Sequence, residues 1–278
     1  MSGPSWRGLA VLMAGVVLTS CGEKEPPAEP VAIPTVMVMA NDYAFQMPDT
    51  LSSGVTTFRL MNHGQEMHHM VVVKLGEGET LADLQKMGEG PLPAGIVFKG
   101  GPNFAAPGGA VEATINLEPG QYAAVCLIPS PDGQVHAAKG MMKGLTVVPA
   151  QGTQAASAPS PEVTLTLSDY KFETSRPLGA GRQVIKIENA ATQWHEMVFV
   201  KLEAGKTIED LLKWLEKPDG PPPASPVDGT SPISPGETIS VTVDLAAGDY
   251  GFLCFLPDLK DGKPHIAHGM AKQFRVGS

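Results

Sequence analysis

The sequence is poor in positive charge, in cysteine and in long hydrophobic runs. Its 278 residues include 20 Lys and Arg against 29 Asp and Glu, a formal net charge of −9, so nucleic acid is an unfavourable partner. The apolar stretch at residues 9–17 is too short to cross a bilayer, which needs about 20 residues. The sequence also has neither a nucleophile motif nor a phosphate-binding loop. The cysteines are Cys21, Cys126 and Cys254.

Glycine and proline, by contrast, are abundant. The chain has 31 Gly and 26 Pro, with 42% apolar and 18% charged residues. This balance favours strands and turns over long helices and is consistent with an exported globular protein.

Residues 1–20 have the layout of a secretory signal peptide, with Arg7 before the apolar stretch and small residues after it. The segment Leu18-Thr19-Ser20-Cys21 resembles the lipobox of bacterial lipoproteins. This resemblance implies that Cys21 is lipidated and anchors the protein on the periplasmic side of a bacterial membrane. Gly22 in place of Asp favours the outer membrane. The alternative is a secreted protein with a free cysteine. Residues 21–34, rich in Glu and Pro, are predicted to be an extended tether.

The remainder of the chain is an internal repeat with an offset of 127 to 129 residues. The repeated motifs are Asn41-Asp42-Tyr43 and Ser168-Asp169-Tyr170, Asn62 and Asn189, and Gly120-Gln121-Tyr122 and Gly248-Asp249-Tyr250. A unit of this length can bury its own core, which indicates a tandem duplication of one domain. We therefore predict domains at residues 35–149 and 162–278, joined by an uncharged linker at residues 150–161.

Each repeat contains one cysteine, two histidines and one methionine at matching positions. They are His68, Cys126, His136 and Met141 in the first domain, and His195, Cys254, His265 and Met270 in the second. One thiolate and two imidazoles with a weak axial thioether suit both Cu(I) and Cu(II), as a mononuclear electron-transfer copper site requires. The sequence therefore predicts up to two copper ions per chain.

Some alternatives to this ligand set are open. His63 and His69 lie close to His68, and His268 lies close to His265; alignment of the two repeats selects His68 and His265. Zinc also accepts two histidines and one cysteine, but a methionine as fourth ligand favours copper. A disulfide between the two domain cysteines needs Cα atoms roughly 4.4–6.8 Å apart. Equivalent positions in tandem domains rarely approach so closely.

Short β-rich runs broken by Gly, Pro and Asn predict strands throughout both domains. One helical pattern interrupts each series, at residues 80–87 and 207–215, and each begins at a capping Thr. This order predicts an all-β protein with two tandem Greek-key β-sandwich domains, each with one short helical insert.

The sequence resembles the cupredoxins, the blue copper proteins, over nearly the whole of both domains. The segments that carry the resemblance run from Cys126-Leu127-Ile128-Pro129 to Met141 and from Cys254-Phe255-Leu256-Pro257 to Met270. The resemblance implies that the first His lies near the start of a strand and the other ligands lie around the loop between the last two strands. Nine and ten residues separate Cys from His, more than in small single-domain members. Loops of similar size occur in copper nitrite reductases.

The resemblance also implies single-electron transfer in the periplasm, between redox partner proteins. Copper nitrite reductases and multicopper oxidases couple the blue site to a second centre through a His beside the Cys. Here the neighbours of the two cysteines are Val125, Leu127, Leu253 and Phe255. We therefore predict an electron carrier and not an enzyme. The acidic composition favours basic redox partners.

Two other functions are open. One is a Cu(I) carrier, storage protein or sensor, because the first domain has additional methionines that capture Cu(I) if they are exposed. Most of them alternate along predicted strands, as core residues do. The other is a protein in which only the second domain binds metal and the first is a structural or docking module.

Overall fold

Strands dominate this computed structural model, which describes residues 1–3, 31–85, 95–151 and 156–277. The first half contributes β1 (Thr35–Asn41), β2 (Ala44–Gln46), β3 (Thr50–Ser52), β4 (Gly54–Asn62), β5 (Val71–Lys74), β6 (Val97–Phe98), β7 (Ala110–Leu117), β8 (Gly120–Val125) and β9 (Met142–Val148). The second contributes β10 (Val163–Ser168), β11 (Lys171–Thr174), β12 (Gly181–Asn189), β13 (His195–Leu202), β14 (Ala224–Ile233), β15 (Thr238–Leu245), β16 (Gly248–Leu253) and β17 (Ala271–Val276).

One short α-helix accompanies each half, as the sequence predicts. Helix α1 is Leu81–Gln85 and helix α2 is Ile208–Glu216. Thr207 caps α2 through a capping box, in which its side chain accepts from the Asp210 N–H at 3.2 Å and the Asp210 carboxylate accepts from the Thr207 N–H at 2.9 Å. The predicted first helix, residues 80–87, extends into residues 86–94, which lie outside the described part of the chain.

Each half is a sandwich of two sheets, and one sheet is shared. The shared sheet has eight strands in the order β11-β10-β12-β15-β7-β4-β1-β2. Its first-half strands face the sheet β3-β9-β8-β5-β6, and its second-half strands face the sheet β14-β13-β16-β17. Strand β4 shows the two-residue alternation of burial expected in a sandwich. Its buried residues Thr56, Phe58, Leu60 and Asn62 alternate with less buried ones. The predicted all-β sandwich architecture is confirmed.

The two halves are joined by backbone hydrogen bonds. Strands β7 and β15 meet at Thr114 and Ser240. Residues 98–102 run beside residues 230–234, with the Gly100 N–H donating to the Pro232 carbonyl at 3.0 Å. Lys99, which is buried, forms an ion pair with Glu237 of the second half. From Val31 onwards the chain is one compact unit, and the domain boundaries proposed from the sequence stay a prediction.

The largest hydrophobic cluster draws buried residues from both halves. It contains Cys126 and Met141 together with Cys254 and Met270, each with no exposed surface. The predicted sulfur ligands therefore lie in the packed interior of the sandwiches, where water is excluded.

Candidate metal centre

In the first half, two imidazoles and one thiol converge. The Nδ1 atoms of His68 and His136 lie 3.0 Å apart, and the Cys126 Sγ lies 3.4 Å from the Nδ1 of His136 and 4.0 Å from that of His68. None of the three side chains is exposed. Three donor atoms that face one another in a buried space are arranged to share a cation.

The second half repeats this arrangement. The Cys254 Sγ lies 3.3 Å from the Nδ1 of His265 and 3.8 Å from the Nδ1 of His195. The two imidazole rings are 4.5 Å apart between centroids, and all three residues are fully buried. The structure thus assembles the same three donors twice.

Local backbone structure places these donors. His68 pairs with Ala105 in an isolated bridge just before β5, and Cys126 directly follows β8. The Cys126 N–H donates to the Met141 carbonyl at 3.1 Å, and the Met141 N–H donates to the His136 carbonyl at 2.9 Å. These bonds close the long loop between β8 and β9, so that residues far apart in sequence meet.

The same loop closure occurs in the second half. The Cys254 N–H donates to the Met270 carbonyl at 3.2 Å, and the Met270 N–H donates to the His265 carbonyl at 3.0 Å. His265 opens the short 3₁₀ helix His265–His268, and the C-cap residue Gly269 has a φ of 91°, a left-handed conformation that glycine adopts without strain. Both methionines are therefore backbone neighbours of a cysteine and a histidine, and their ligation stays a prediction.

The histidines that the sequence left as alternatives lie elsewhere. His63 is exposed, and His268 is partly exposed and contacts Asp261 at 3.1 Å. His69 is buried, but its Nε2 accepts the Leu127 N–H at 2.8 Å. Cys126 and Cys254 are both free thiols, each within its own histidine pair, so the alternative disulfide does not form.

The repeated Asp-Tyr motif holds the first histidine of each site. Asp42 Oδ1 lies 3.0 Å from the His68 Nε2, and Asp169 Oδ1 lies 3.2 Å from the His195 Nε2. A carboxylate on the outer ring nitrogen fixes the tautomer that leaves Nδ1 free for a metal and raises the basicity of the ligand. The sequence shows this motif as part of the repeat, but not which side chain it contacts.

The tyrosines of the motif have unusual backbones. Tyr43 and Tyr170 adopt positive φ angles of 69° and 64°, a region that bulky residues rarely occupy. The Tyr43 hydroxyl donates to Glu66 at 2.7 Å, and the Tyr170 hydroxyl donates to Asp258. Strain that recurs at equivalent positions beside two sites indicates a shared constraint on the surroundings of the second histidine.

Burial favours the neutral form of both cysteines and of three of the histidines. It lowers the pKa of His68 and His195 below the ordinary histidine value and lowers the pKa of His265 to about 4. It raises the pKa of the Cys126 thiol to about 11 and also raises that of Cys254. Neutral imidazoles offer lone pairs, and a bound cation displaces the thiol proton.

The donor spacing fits a small cation. Bonds of about 2.0 Å to nitrogen and 2.3 Å to sulfur, the lengths typical at zinc, place nitrogen and sulfur donors about 3.5–3.7 Å apart around one ion. The four sulfur-to-nitrogen distances run from 3.3 to 4.0 Å and bracket that range. A mixed set of thiolate, imidazole and nearby thioether favours copper. The predicted cofactor is confirmed: the two His-Cys-His groups support copper binding, with up to two ions per chain.

Sequence reasoning missed the role of two buried residues that follow the first histidines, although His69 was considered as an alternative ligand. His69 accepts the Leu127 N–H, and Glu196 accepts the Phe255 N–H at 3.0 Å, so each holds the residue after a cysteine. Burial lowers the pKa of His69 to about 4 and raises the pKa of Glu196 to about 7. Both line a cleft of about 480 Å³ between the halves. Because the two residue types differ, the repeat gave no signal for them.

Solved structures resemble parts or most of the chain. Auracyanin from Roseiflexus castenholzii is 26% identical, with a TM-score of 0.30, over 43% of this chain and 100% of that one. Blue copper oxidase from Nitrosomonas europaea is 15% identical, with a TM-score of 0.27, over 88% and 86% of the two chains. The copper-containing nitrite reductase from Thermus scotoductus SA-01 is 11% identical, with a TM-score of 0.24, over 87% and 61%. No protein-family model and no curated protein matches the chain.

These matches contradict one prediction, and the fold and the two sites confirm another. The prediction of an electron carrier and not an enzyme is wrong, because an oxidase and a nitrite reductase match along most of the chain. It rested on the absence of a His beside each Cys, which excludes only one route of coupling to a second centre. The predicted tandem cupredoxin-like organisation is confirmed by the fold and the two sites.

The predicted lipid anchor lies outside the described residues, since 4–30 are among those not described. Among the residues that the structure does describe, no helix has the length and apolar character needed to cross a membrane.

Proposed function

We propose that the protein is an exported redox protein in which each half holds one type 1 copper ion and exchanges single electrons through it. The observation that supports this most strongly is the duplicated, buried convergence of two Nδ1 atoms and one Sγ. When bound, copper supplies a one-electron couple that imidazole, thiolate and thioether donors all tolerate. This role describes the two sites themselves and applies equally to a carrier and to an oxidoreductase.

The chain's own residues prepare the sites for that role. In the first half the backbone N–H groups of His69 and Ile128 point at the Cys126 sulfur, and in the second those of Glu196 and Leu256 point at Cys254. Donors of this kind stabilise a thiolate and fix its direction. The ligands are thus oriented before a metal arrives, and the closed loops keep water away.

The test is a Cu(II) titration of the full chain, followed by visible absorption and metal analysis. We expect intense thiolate-to-copper absorption that saturates at two copper ions per chain. Cys126→Ser and Cys254→Ser should each remove one copper ion and about half of the absorption, whereas Cys21→Ser, the matched control outside both sites, should remove none.

Other results would favour the other functions. A colourless protein that binds only Cu(I) would indicate a carrier or storage protein. Absorption that is lost entirely in Cys254→Ser and unchanged in Cys126→Ser would indicate that only the second domain binds metal.

Location and partners are also proposals. We propose a lipid anchor at Cys21 on the periplasmic side of the outer membrane, supported by the lipobox-like segment and the apolar stretch before it. Fatty-acid labelling that persists in Cys21→Ser would contradict the anchor. We also propose basic redox partners, supported by the net charge of −9. Electron exchange with such a partner should slow as ionic strength rises.

A further inference from the structure

The second histidine of each site has different surroundings in the two halves. In the first half the His136 Nε2 lies 2.9 Å from the Glu66 carboxylate. In the second half the His265 Nε2 has no hydrogen-bond partner, and it is the one buried side-chain nitrogen or oxygen in the described residues with none. An imidazole N–H that is buried without an acceptor is costly, so this difference calls for a cause.

The cause is an exchange of two residues at equivalent positions. Glu66 and Gln193 each lie two residues before the first histidine, and Ser130 and Asp258 each follow the proline of the Cys-x-x-Pro segment. The first half thus pairs Glu with Ser, and the second pairs Gln with Asp. Each half therefore keeps one acid near its second histidine. In the first half the acid precedes the first histidine, and in the second half it follows the proline of the Cys-x-x-Pro segment.

The relocated acid does not reach the histidine. Asp258 Oδ2 lies 3.9 Å from the His265 Nε2, beyond hydrogen-bond distance. Its carboxylate is engaged by the Tyr170 hydroxyl, by the Gln193 amide at 3.0 Å and by the Lys260 N–H at 2.8 Å. These donors spread the negative charge of Asp258 and hold it away from the ring.

We propose that Glu66 is a positioning and tuning residue that holds the reduction potential of the first copper site below that of the second. The proposal rests on the proposed function. A carboxylate bonded to the outer nitrogen makes the imidazole a stronger donor, and its charge favours the more positive oxidation state, Cu(II). One electron exchanged between the sites therefore leaves the first site oxidised and the second reduced, with no proton moved and no bond made or broken.

Other charged groups also differ between the halves, and two of them, Lys139 and Glu196, bear on this comparison. Lys139, near Tyr43, is paired with Asp132 at 2.8 Å, so its charge is largely compensated. Glu196, the counterpart of His69, is a buried acid near the second site. The experiment therefore includes Glu196→Gln, which removes that acid without changing its shape.

The test uses copper-loaded full-length chains that retain one site each. Cys254→Ser leaves the first site and Cys126→Ser leaves the second. A redox titration that monitors the visible absorption band then gives the midpoint reduction potential of each site. We expect the first site to have the lower midpoint, with Glu196 either present or replaced by Gln. Glu66→Gln should raise the first midpoint by about 59 mV, which is a tenfold change for one electron. Glu118→Gln removes an equally negative but exposed side chain and should change it far less.

A reciprocal swap tests the same contact in the other half. Gln193→Glu combined with Asp258→Ser reproduces the first-half pair and should lower the second midpoint. In the Cu(I) protein, proton NMR should show a hydrogen-bonded Nε2–H for His136 that is lost in Glu66→Gln and gained by His265 in the swap. If Glu66 had a purely structural role, Glu66→Gln would not raise the midpoint potential of the first site while the swap lowers that of the second.

Failure of the inference is distinct from failure of the proposed function. If neither single-site protein shows a thiolate-to-copper band, the proposed function fails. If both bands are present but the midpoints are equal or reversed, or if Glu66→Gln shifts the first midpoint no more than Glu118→Gln does, the tuning role of Glu66 is overturned.

Discussion

Asn62 and Asn189 are predicted to hold the first histidine of each site in place, and replacing either with Ala tests this. The buried Asn189 side chain donates to the Gln193 and Ile233 carbonyls, both at 2.9 Å, and accepts the Ala191 N–H at 3.0 Å. Ile233 pairs with His195 in the sheet, so one side chain ties together the segments on both sides of the ligand.

Asn62 does the same in the first half. It donates to the Glu66 carbonyl at 2.7 Å and to the Ala105 carbonyl at 2.8 Å, and it accepts the Gly64 N–H at 2.8 Å. Ala105 is the bridge partner of His68. Truncation to Ala therefore removes three buried hydrogen bonds in either half.

The expected cost follows from these bonds. At roughly 1 kcal/mol for each hydrogen bond, either variant loses about 3 kcal/mol of unfolding free energy. The loss is larger where water cannot reach the carbonyls that are left without a donor. For a chain of this size that lowers Tm by about 6–12 °C. Urea unfolding of the metal-free protein measures the loss, and Asn116→Ala, at an exposed position of β7, is the matched control with a change within about 0.5 kcal/mol.

The site-specific part of the prediction is sharper. Asn62→Ala should weaken copper binding at the first site and leave the second unchanged, and Asn189→Ala should do the reverse. A loss of stability no larger than that of Asn116→Ala, or equal loss of copper from both sites, would refute the role assigned to these side chains.

Three further predictions concern the surroundings of the sites and the interface. Asp42→Asn should lower copper affinity at the first site about 10–100-fold, and Asp169→Asn should do so only at the second, in competition titrations with a chelator. Burial raises the pKa of Asp228 well above its usual value, so the folded protein loses stability as pH rises and this carboxyl is deprotonated. Asn stays neutral at every pH, so Asp228→Asn should raise Tm at pH 8 more than at pH 5. Lys99→Met should cost about 3 kcal/mol in urea unfolding because it leaves Glu237 unpaired, whereas Lys74→Met, in an exposed pair, should cost less than about 1 kcal/mol.

The two His-Cys-His groups were predictable because they belong to a repeat with a chemical meaning. Two copies of one cysteine, two histidines and one methionine specify both the metal and the loop that must bring them together. The choice of His68 over His69 followed from alignment with a single histidine in the second half. The sandwich fold followed from strand patterns and the same duplication.

The surroundings of the donors were not predictable in the same way. Asp42 is a visible repeat residue, but its contact with His68 depends on how β1 lies beside β4 in the folded sheet. Strand β14 was not predicted, since it contains Pro226 and Pro232, which ordinarily indicate a break. The shared sheet depends on one pairing between β7 and β15, and no local sequence pattern predicts that pairing.

The two halves serve as internal references for one another. Their donors, first-histidine aspartates and buried asparagines are the same, so these features meet requirements that the two sites share. Their differences lie around the donors, at positions 66 and 193, 69 and 196, and 130 and 258. Two sites with identical surroundings would share an electron equally, whereas unlike surroundings give it a preferred site. The shared sheet and the ion pair between buried Lys99 and Glu237 join the halves in one unit, so that preference can operate within a single molecule.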